Sequence, residues 1–242
     1  MNGTKILVVD DEADITELIT LYMEREGFAV YTTDNGEDAV RLAAELEPDM
    51  ILLDISLKNL DGFDVCKQIR TTSNVPILFI SCKSDDTDII HGLTLGGDDY
   101  MTKPFSPSQL VARVKAHLRR QSVTGKSPVD RSLGEMLVYD GLQIDLPART
   151  VHVNGKEVSL SAKEFELLVR LAKSPNRAFS LDDLYTIVWG HDSMGDTRTL
   201  MVHVSNLRKK IEPDPANPIY IITVRGVGYK FNAKEGNTHV YR

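Results

Sequence analysis

Two cysteines are all that this chain of 242 residues contains. Cys66 and Cys82 lack the Cys-x-x-Cys spacing of a metal or redox site and are too few for a disulfide framework, so both read as ordinary thiols. No apolar run approaches the roughly 18 residues that a membrane helix needs. The first residues enter a strand without the charged-then-apolar pattern of a secretory signal, so a cytoplasmic location with no membrane partner is expected. The Asn2-Gly3-Thr4 sequon then has no meaning as a glycosylation site. Gly125-Lys126-Ser127 carries the closing residues of a nucleotide-binding loop, but Arg120 stands where that loop needs a glycine, which excludes it.

What is present is an ordinary globular composition, 42% hydrophobic and 26% charged, with length for about two domains. The net charge of −7 is unevenly spread. Residues 1–121 hold 12 Lys and Arg against 21 Asp and Glu, net −9, whereas residues 122–242 hold 16 against 14, net +2. An acidic half that can hold a cation is joined to a mildly basic one, a pairing suited to a sensor coupled to a nucleic-acid reader.

In the first half, apolar runs end repeatedly in polar residues. Lys5 to Val9 runs into Asp10-Asp11, Met50 to Leu53 into Asp54, Pro76 to Ile80 into Ser81, and Asp99 to Met101 into Lys103-Pro104. Amphipathic stretches from Ala13 to Glu26, Gly36 to Leu46, Gly62 to Arg70, Asp85 to Leu95 and Ser106 to about Arg120 alternate with these runs. With Phe28 to Thr32 as a further strand, five βα units predict a doubly wound five-stranded parallel sheet, with the polar residues gathered at the strand tips. Three carboxylates there would repel one another without a cation, and hard oxygen ligands suit Mg²⁺. A carboxylate capping a strand end accounts for any one of these residues, but poorly for the whole set.

Gln121 to about Glu135 reads as a flexible linker, 122–135 between domains. From Met136 the pattern becomes short alternating segments with an Asn154-Gly155 turn, then helices from Ser161 to Ala172, Ser180 to Val188 and Thr197 to Ile211. A hairpin of Tyr220 to Val224 and Tyr229 to Phe231 closes the layout. This is an α+β winged-helix arrangement over 136–232, and the tail 233–242 reads as disordered.

Val9-Asp10-Asp11-Glu12, Leu53-Asp54, Asp61-Gly62, Ile80-Ser81, Asp98-Asp99-Tyr100 and Lys103-Pro104-Phe105, in that order, closely resemble the receiver domain of two-component response regulators. Leu160 to Leu168 and Thr223 to Tyr229 resemble the DNA-binding domain of the OmpR/PhoB type. The first resemblance implies a flavodoxin-like receiver in which Asp54 accepts a phosphoryl group from a sensor histidine kinase. Mg²⁺ would be held by Asp11, Asp54 and the Ser56 backbone carbonyl, with Asp10 acting through water. Lys103 would add positive charge, and Ser81 and Tyr100 would form the switch pair. Ser81 and Cys82 depart from the family's usual Thr and Ala, and Lys58-Asn59 from its usual Pro-Gly.

The second resemblance implies that Arg198, Thr199, His203, Ser205, Asn206, Arg208, Lys209, Thr223 and Arg225 meet double-stranded DNA. Leu200, Val204, Leu207 and Ile211 fall at core spacing on the same helix. Family members pair through the fourth helix, fifth strand and fifth helix, which implies a homodimer on phosphorylation. The apolar patch would be Ile90, Leu93 and Val111, with Asp99–Arg113 and Asp98–Arg120 as intersubunit ion pairs. Ile89 and Gln109 stand where a third pair is usual. RNA polymerase is the implied downstream partner. Two rivals are a constitutive DNA-binding regulator whose receiver is not a phospho-switch, and an aspartate-nucleophile phosphatase. The phosphatase is disfavoured because Ser56 stands where such enzymes place a second, acid-base aspartate, so no turnover enzyme is expected.

Overall fold

The computed structural model describes residues 3–125, 136–190, 197–233 and 239–241. The chain divides into two compact units between Ser122 and Val123. The first unit alternates β1 (Lys5–Val9), α1 (Ala13–Arg25), β2 (Ala29–Thr33), α2 (Gly36–Leu46), β3 (Met50–Leu53), α3 (Gly62–Arg70), β4 (Ile77–Ser81), α4 (Asp86–Thr94), β5 (Asp99–Thr102) and α5 (Pro107–Gly125). The sheet is wholly parallel with order β2-β1-β3-β4-β5. Residues Ile6–Val9 and Met50–Leu53 are at most 1% exposed, as unbroken apolar strands covered on both faces must be. The strand order reverses between β1 and β3, which makes their carboxyl ends the sheet's switch point and the natural place for a site.

Composition predicts the end of α5 near Arg120, yet the helix continues to Gly125. Gln121, Ser122, Val123 and Thr124 are polar or small but none breaks a helix, and the first residue that does is Gly125. The rest of the expected linker, 126–135, lies outside the described residues.

The second unit begins with the antiparallel strands β6 (Met136–Tyr139), β7 (Leu142–Asp145), β8 (Thr150–Val153) and β9 (Lys156–Glu157). α6 (Ala162–Ala172) opens with a capping box. The Ser161 hydroxyl accepts from Glu164 N at 3.3 Å, and Glu164 Oε2 accepts from Ser161 N at 2.7 Å. After it come β10 (Ala178–Ser180), α7 (Leu181–Trp189), α8 (Thr197–Ile211), β11 (Ile221–Val224) and β12 (Gly228–Phe231). Leu200, Val204, Leu207 and Ile211 of α8 are at most 1% exposed, as their spacing predicts. Lys210 Nζ reaches Glu164 Oε2 at 2.7 Å and ties α8 to the start of α6.

Two strands go beyond the sequence reading. β10 joins β12 and β11 in a three-stranded sheet. Only glycine fits at Gly228 in that sheet, because a Cβ there would lie 2.2 Å from the Phe179 carbonyl oxygen. In the tail, read above as disordered, β13 (His239–Tyr241) pairs antiparallel with β6. β6 otherwise presents an open edge, and Val240 and Tyr241 are residue types that favour a strand. Residues 234–238 and 242 lie outside the described residues.

Candidate functional site

Asp10 and Asp54 follow the two strands at the switch point and are each 3% exposed. Lys103, beyond β5, sends its ammonium between them, with Nζ 2.8 Å from Asp10 Oδ2, Asp54 Oδ2 and Glu12 Oε1. The Lys103–Pro104 peptide is cis, and Lys103 N donates to the Ser81 carbonyl at 2.8 Å. Backbone donors complete the carboxylates: Ser56 N to Asp54 Oδ1 at 3.1 Å and Glu12 N to Asp10 Oδ1 at 3.0 Å. Burial pushes the Asp10 carboxyl up despite its bonds to Lys103 and the Glu12 N–H. For Lys103, burial alone would lower the ammonium's pKa, but bonds to Asp10, Asp54 and Glu12 outweigh it and raise it. Gly62 lets α3 approach: a Cβ on it would sit 2.1 Å from the Asp54 carbonyl oxygen.

Oxygens of Asp10, Glu12 and Asp54 all lie within 4.8 Å of one another, a hard-oxygen donor set that fits a divalent cation such as Mg²⁺. This trio differs from the expected ligands. Asp11 turns aside to Lys58, whose Nζ lies 3.6 Å from Asp11 Oδ2, and Glu12 takes a place in the cluster. Glu12 thus stands in a cluster that could hold a metal, a place that the sequence reading did not give it. Its signal was present, since it is the third acid directly after β1.

Ser81 is fully buried, and Tyr100, 7% exposed, lies inward with its ring 6.1 Å from Phe79. Both members of the expected switch pair hold one residue's backbone. Lys83 N donates to the Ser81 hydroxyl at 3.3 Å, and the Tyr100 hydroxyl donates to the Lys83 carbonyl at 2.7 Å. Burial pushes the Tyr100 phenol up to about 12, so it stays a donor at neutral pH.

On the expected pairing face the residues differ in exposure. Ile89, Leu93 and Val111 are buried, because 89 and 93 fall on the core side of α4 and Val111 joins the sheet's core. Ile90 remains exposed at 44%, and Gln109 is exposed. Asp98 is wholly buried and bonds Arg70 Nη2 at 2.8 Å and Ile77 N at 3.0 Å, so it serves its own domain. The side chain of Arg120 lies outside the described residues. Asp99 meets Arg113 of its own chain at 2.7 Å and His117 at 3.6 Å. His117, 4% exposed, has no counterpart in the sequence reading.

In the second unit, Arg225 is exposed in the turn between β11 and β12, and Thr223 is exposed just before it. α8 is buried over a wider arc than its four core leucine-type positions suggest. Thr199 and His203 are 1% exposed and Asn206 7%, since 199, 203 and 206 form a second row beside the core row. The His203 ring lies 5.3 Å from that of Trp189. Three residues expected to face DNA are thus covered in this conformation. Arg208 is also engaged: Nε and Nη2 donate to the Ile221 carbonyl at 3.0 and 2.6 Å, and Nη2 to the Thr223 hydroxyl at 2.9 Å. It braces the hairpin against α8. The exposed line along the helix is Arg198, Met201, Ser205 and Lys209.

Residues 6–115 match the family described as response regulator receiver domain, and residues 155–231 match transcriptional regulatory protein, C terminal. The chain is 45% identical over 226 residues to the DNA-binding response regulator MtrA of Mycobacterium tuberculosis (strain ATCC 25618 / H37Rv), covering 93% of this chain and 96% of that one. It is 44% identical to the alkaline phosphatase synthesis transcriptional regulatory protein PhoP of Bacillus subtilis (strain 168), covering 96% and 98%. Among solved structures, the OmpR/PhoB homologue DrrB of Thermotoga maritima is 33% identical with a TM-score of 0.50, covering 96% of this chain and 100% of that one. With the two domain families matched in order and the relatives matched nearly end to end, the chain belongs to the OmpR/PhoB-type two-component response regulators, DNA-binding transcription regulators built from a receiver and a winged helix.

Proposed function

We propose that Asp54 is the phosphoacceptor of a phosphorylation-switched transcription regulator in the cytoplasm. The observation that carries this reading is the buried Asp54 carboxylate, 2.8 Å from the Lys103 ammonium and clustered with two further carboxylates. The Asp54 oxygen attacks the phosphorus of a phosphohistidine on a sensor histidine kinase. A P–O bond forms, the P–N bond breaks and the imidazole leaves with the electron pair. Asp10, Glu12 and Asp54, together with Asp11 once it leaves Lys58, would hold Mg²⁺, which supplies neutralisation of the transferring phosphoryl oxygens. Lys103 adds a fixed positive charge at the same point. Ser56 offers no acid-base carboxylate, so hydrolysis of the product is slow and the protein behaves as a switch rather than an enzyme.

Ser81 then exchanges the Lys83 N–H for the phosphoryl group, which releases one of the two bonds holding that loop. Receivers pair through the face of α4, β5 and α5, with exposed Ile90 at its centre and Arg113 exchanging its own Asp99 for that of a second copy. The paired winged helices bind tandem half-sites. Arg225 meets the minor groove, Arg198 and Lys209 meet phosphates, and Ser205 meets the bases. RNA polymerase is the downstream partner. The test is labelling by a small phosphodonor with Mg²⁺: the native chain takes up one phosphoryl group and Asp54→Asn none. Equal labelling of Asp54→Asn refutes the site.

A further inference from the structure

The acid pocket holds a second cation besides Lys103. Lys58 stands in the loop between β3 and α3, where the sequence departs from the family's usual Pro-Gly. That loop is rooted by Leu57 N and Gly62 N, which both donate to the Ile55 carbonyl at 3.0 and 2.9 Å. From this root the Lys58 side chain, 71% exposed, crosses to Asp11, whose side chain is 16% exposed. The two lysines thereby divide the acids. Lys103 takes Asp10, Glu12 and Asp54, and Lys58 takes Asp11. Four carboxylates and two ammoniums leave a formal charge of −2, which one divalent cation neutralises.

The two ammoniums differ in how readily they yield. The Lys103 side chain is 6% exposed and held by three carboxylates, a fixed part of the site. Lys58 has one partner at 3.6 Å and a solvated stem, so it can leave without stranding a buried charge. A metal ion that draws on the Asp11 carboxylate must displace it and then tolerate it nearby.

We propose that Lys58 is a tethered counter-ion that competes with the divalent metal for Asp11 and so sets the metal affinity of the phosphoryl pocket. The proposal rests on the phosphoryl-pocket reading above and adds a positioning residue to it. A proline or alanine at this position carries no such charge, so the effect belongs to this chain's own loop.

The experiment titrates the full chain with Mn²⁺, the paramagnetic stand-in for Mg²⁺, reading bound metal from water-proton relaxation at low ionic strength. Lys58→Ala is expected to bind about two- to fivefold more tightly than the native chain, the full worth of an exposed ion pair. Lys58→Arg stays near the native value. The gain shrinks at about 1 M salt, where the screening length falls to about 3 Å. Equal or weaker binding by Lys58→Ala overturns the proposal. Undiminished binding by Asp11→Asn also overturns it, because the contested ligand would not be a ligand. Absence of binding by the native chain sinks the pocket reading itself, and the proposal with it.

Discussion

Replacing Glu212 should cost the winged helix a large part of its stability, because one buried carboxylate holds the start of β11. The residue follows α8 directly and is 7% exposed. Its carboxylate accepts from Ile219 N at 2.7 Å, from Tyr220 N at 3.0 and 3.1 Å and from Ile221 N at 2.7 Å, pinning the start of β11. In Glu212→Ala the Ile219 N–H can turn to water, since that residue is 49% exposed, but Tyr220 and Ile221 are 6% and 0% exposed. Two buried N–H groups are left unpaired at roughly 1–3 kcal/mol each, partly offset by no longer burying a charge. A net loss of about 3 kcal/mol follows, a large share of a domain's usual 5–15 kcal/mol. Glu212→Gln keeps one carbonyl acceptor and should lose about half as much. Urea unfolding followed by Trp189 fluorescence reads this domain, because Trp189 is the chain's one tryptophan. A loss below about 1 kcal/mol for Glu212→Ala would refute the claim that the carboxylate anchors the hairpin.

Arg225→Ala should weaken binding to all DNA sequences alike and flatten the salt dependence by about one contact, as measured by titration at several ionic strengths. Ser161→Ala removes one half of the capping box and should cost about 1 kcal/mol in the same urea experiment. Asp99 is a carboxyl that burial would raise but that Arg113, then His117, holds below the usual range. Its stabilisation is therefore complete above about pH 4 and is lost as pH falls through the depressed value, so Arg113→Ala should flatten the acid limb of a thermal-melting pH profile.

The parallel sheet was legible because its strands are unbroken apolar runs ending in chemistry-bearing residues, and Asp10, Asp54 and Lys103 meet where those ends converge. Spacing also placed the core row of α8 correctly. Other features depend on what the chain packs against. His203 and Asn206 look like exposed polar positions, but with Thr199 they form a second buried row on α8, where Trp189 packs near the His203 ring. The phase of α4, which buries Ile89 and Leu93 and leaves Ile90 outside, turns on a rotation that an isolated Ile-Ile pair does not fix. Asp98 and Asp99 read as surface acids because nothing in the sequence announces that Arg70, 28 residues away, and His117 close over them. The tail strand is short and polar at its start, and only the open edge of β6 gives it a reason to be ordered.

On the proposed reading, phosphorylation of Asp54 controls DNA binding. DNA affinity of the native chain and of Asp54→Asn, each with Mg²⁺ and with or without a small phosphodonor, tests it directly. The phosphodonor should tighten binding of the native chain to a tandem-site DNA at least tenfold, as expected when receiver pairing makes the second contact intramolecular, and leave Asp54→Asn unchanged. Equal affinity of the native chain with and without the phosphodonor, after labelling is verified, would contradict it and favour a constitutive DNA-binding regulator.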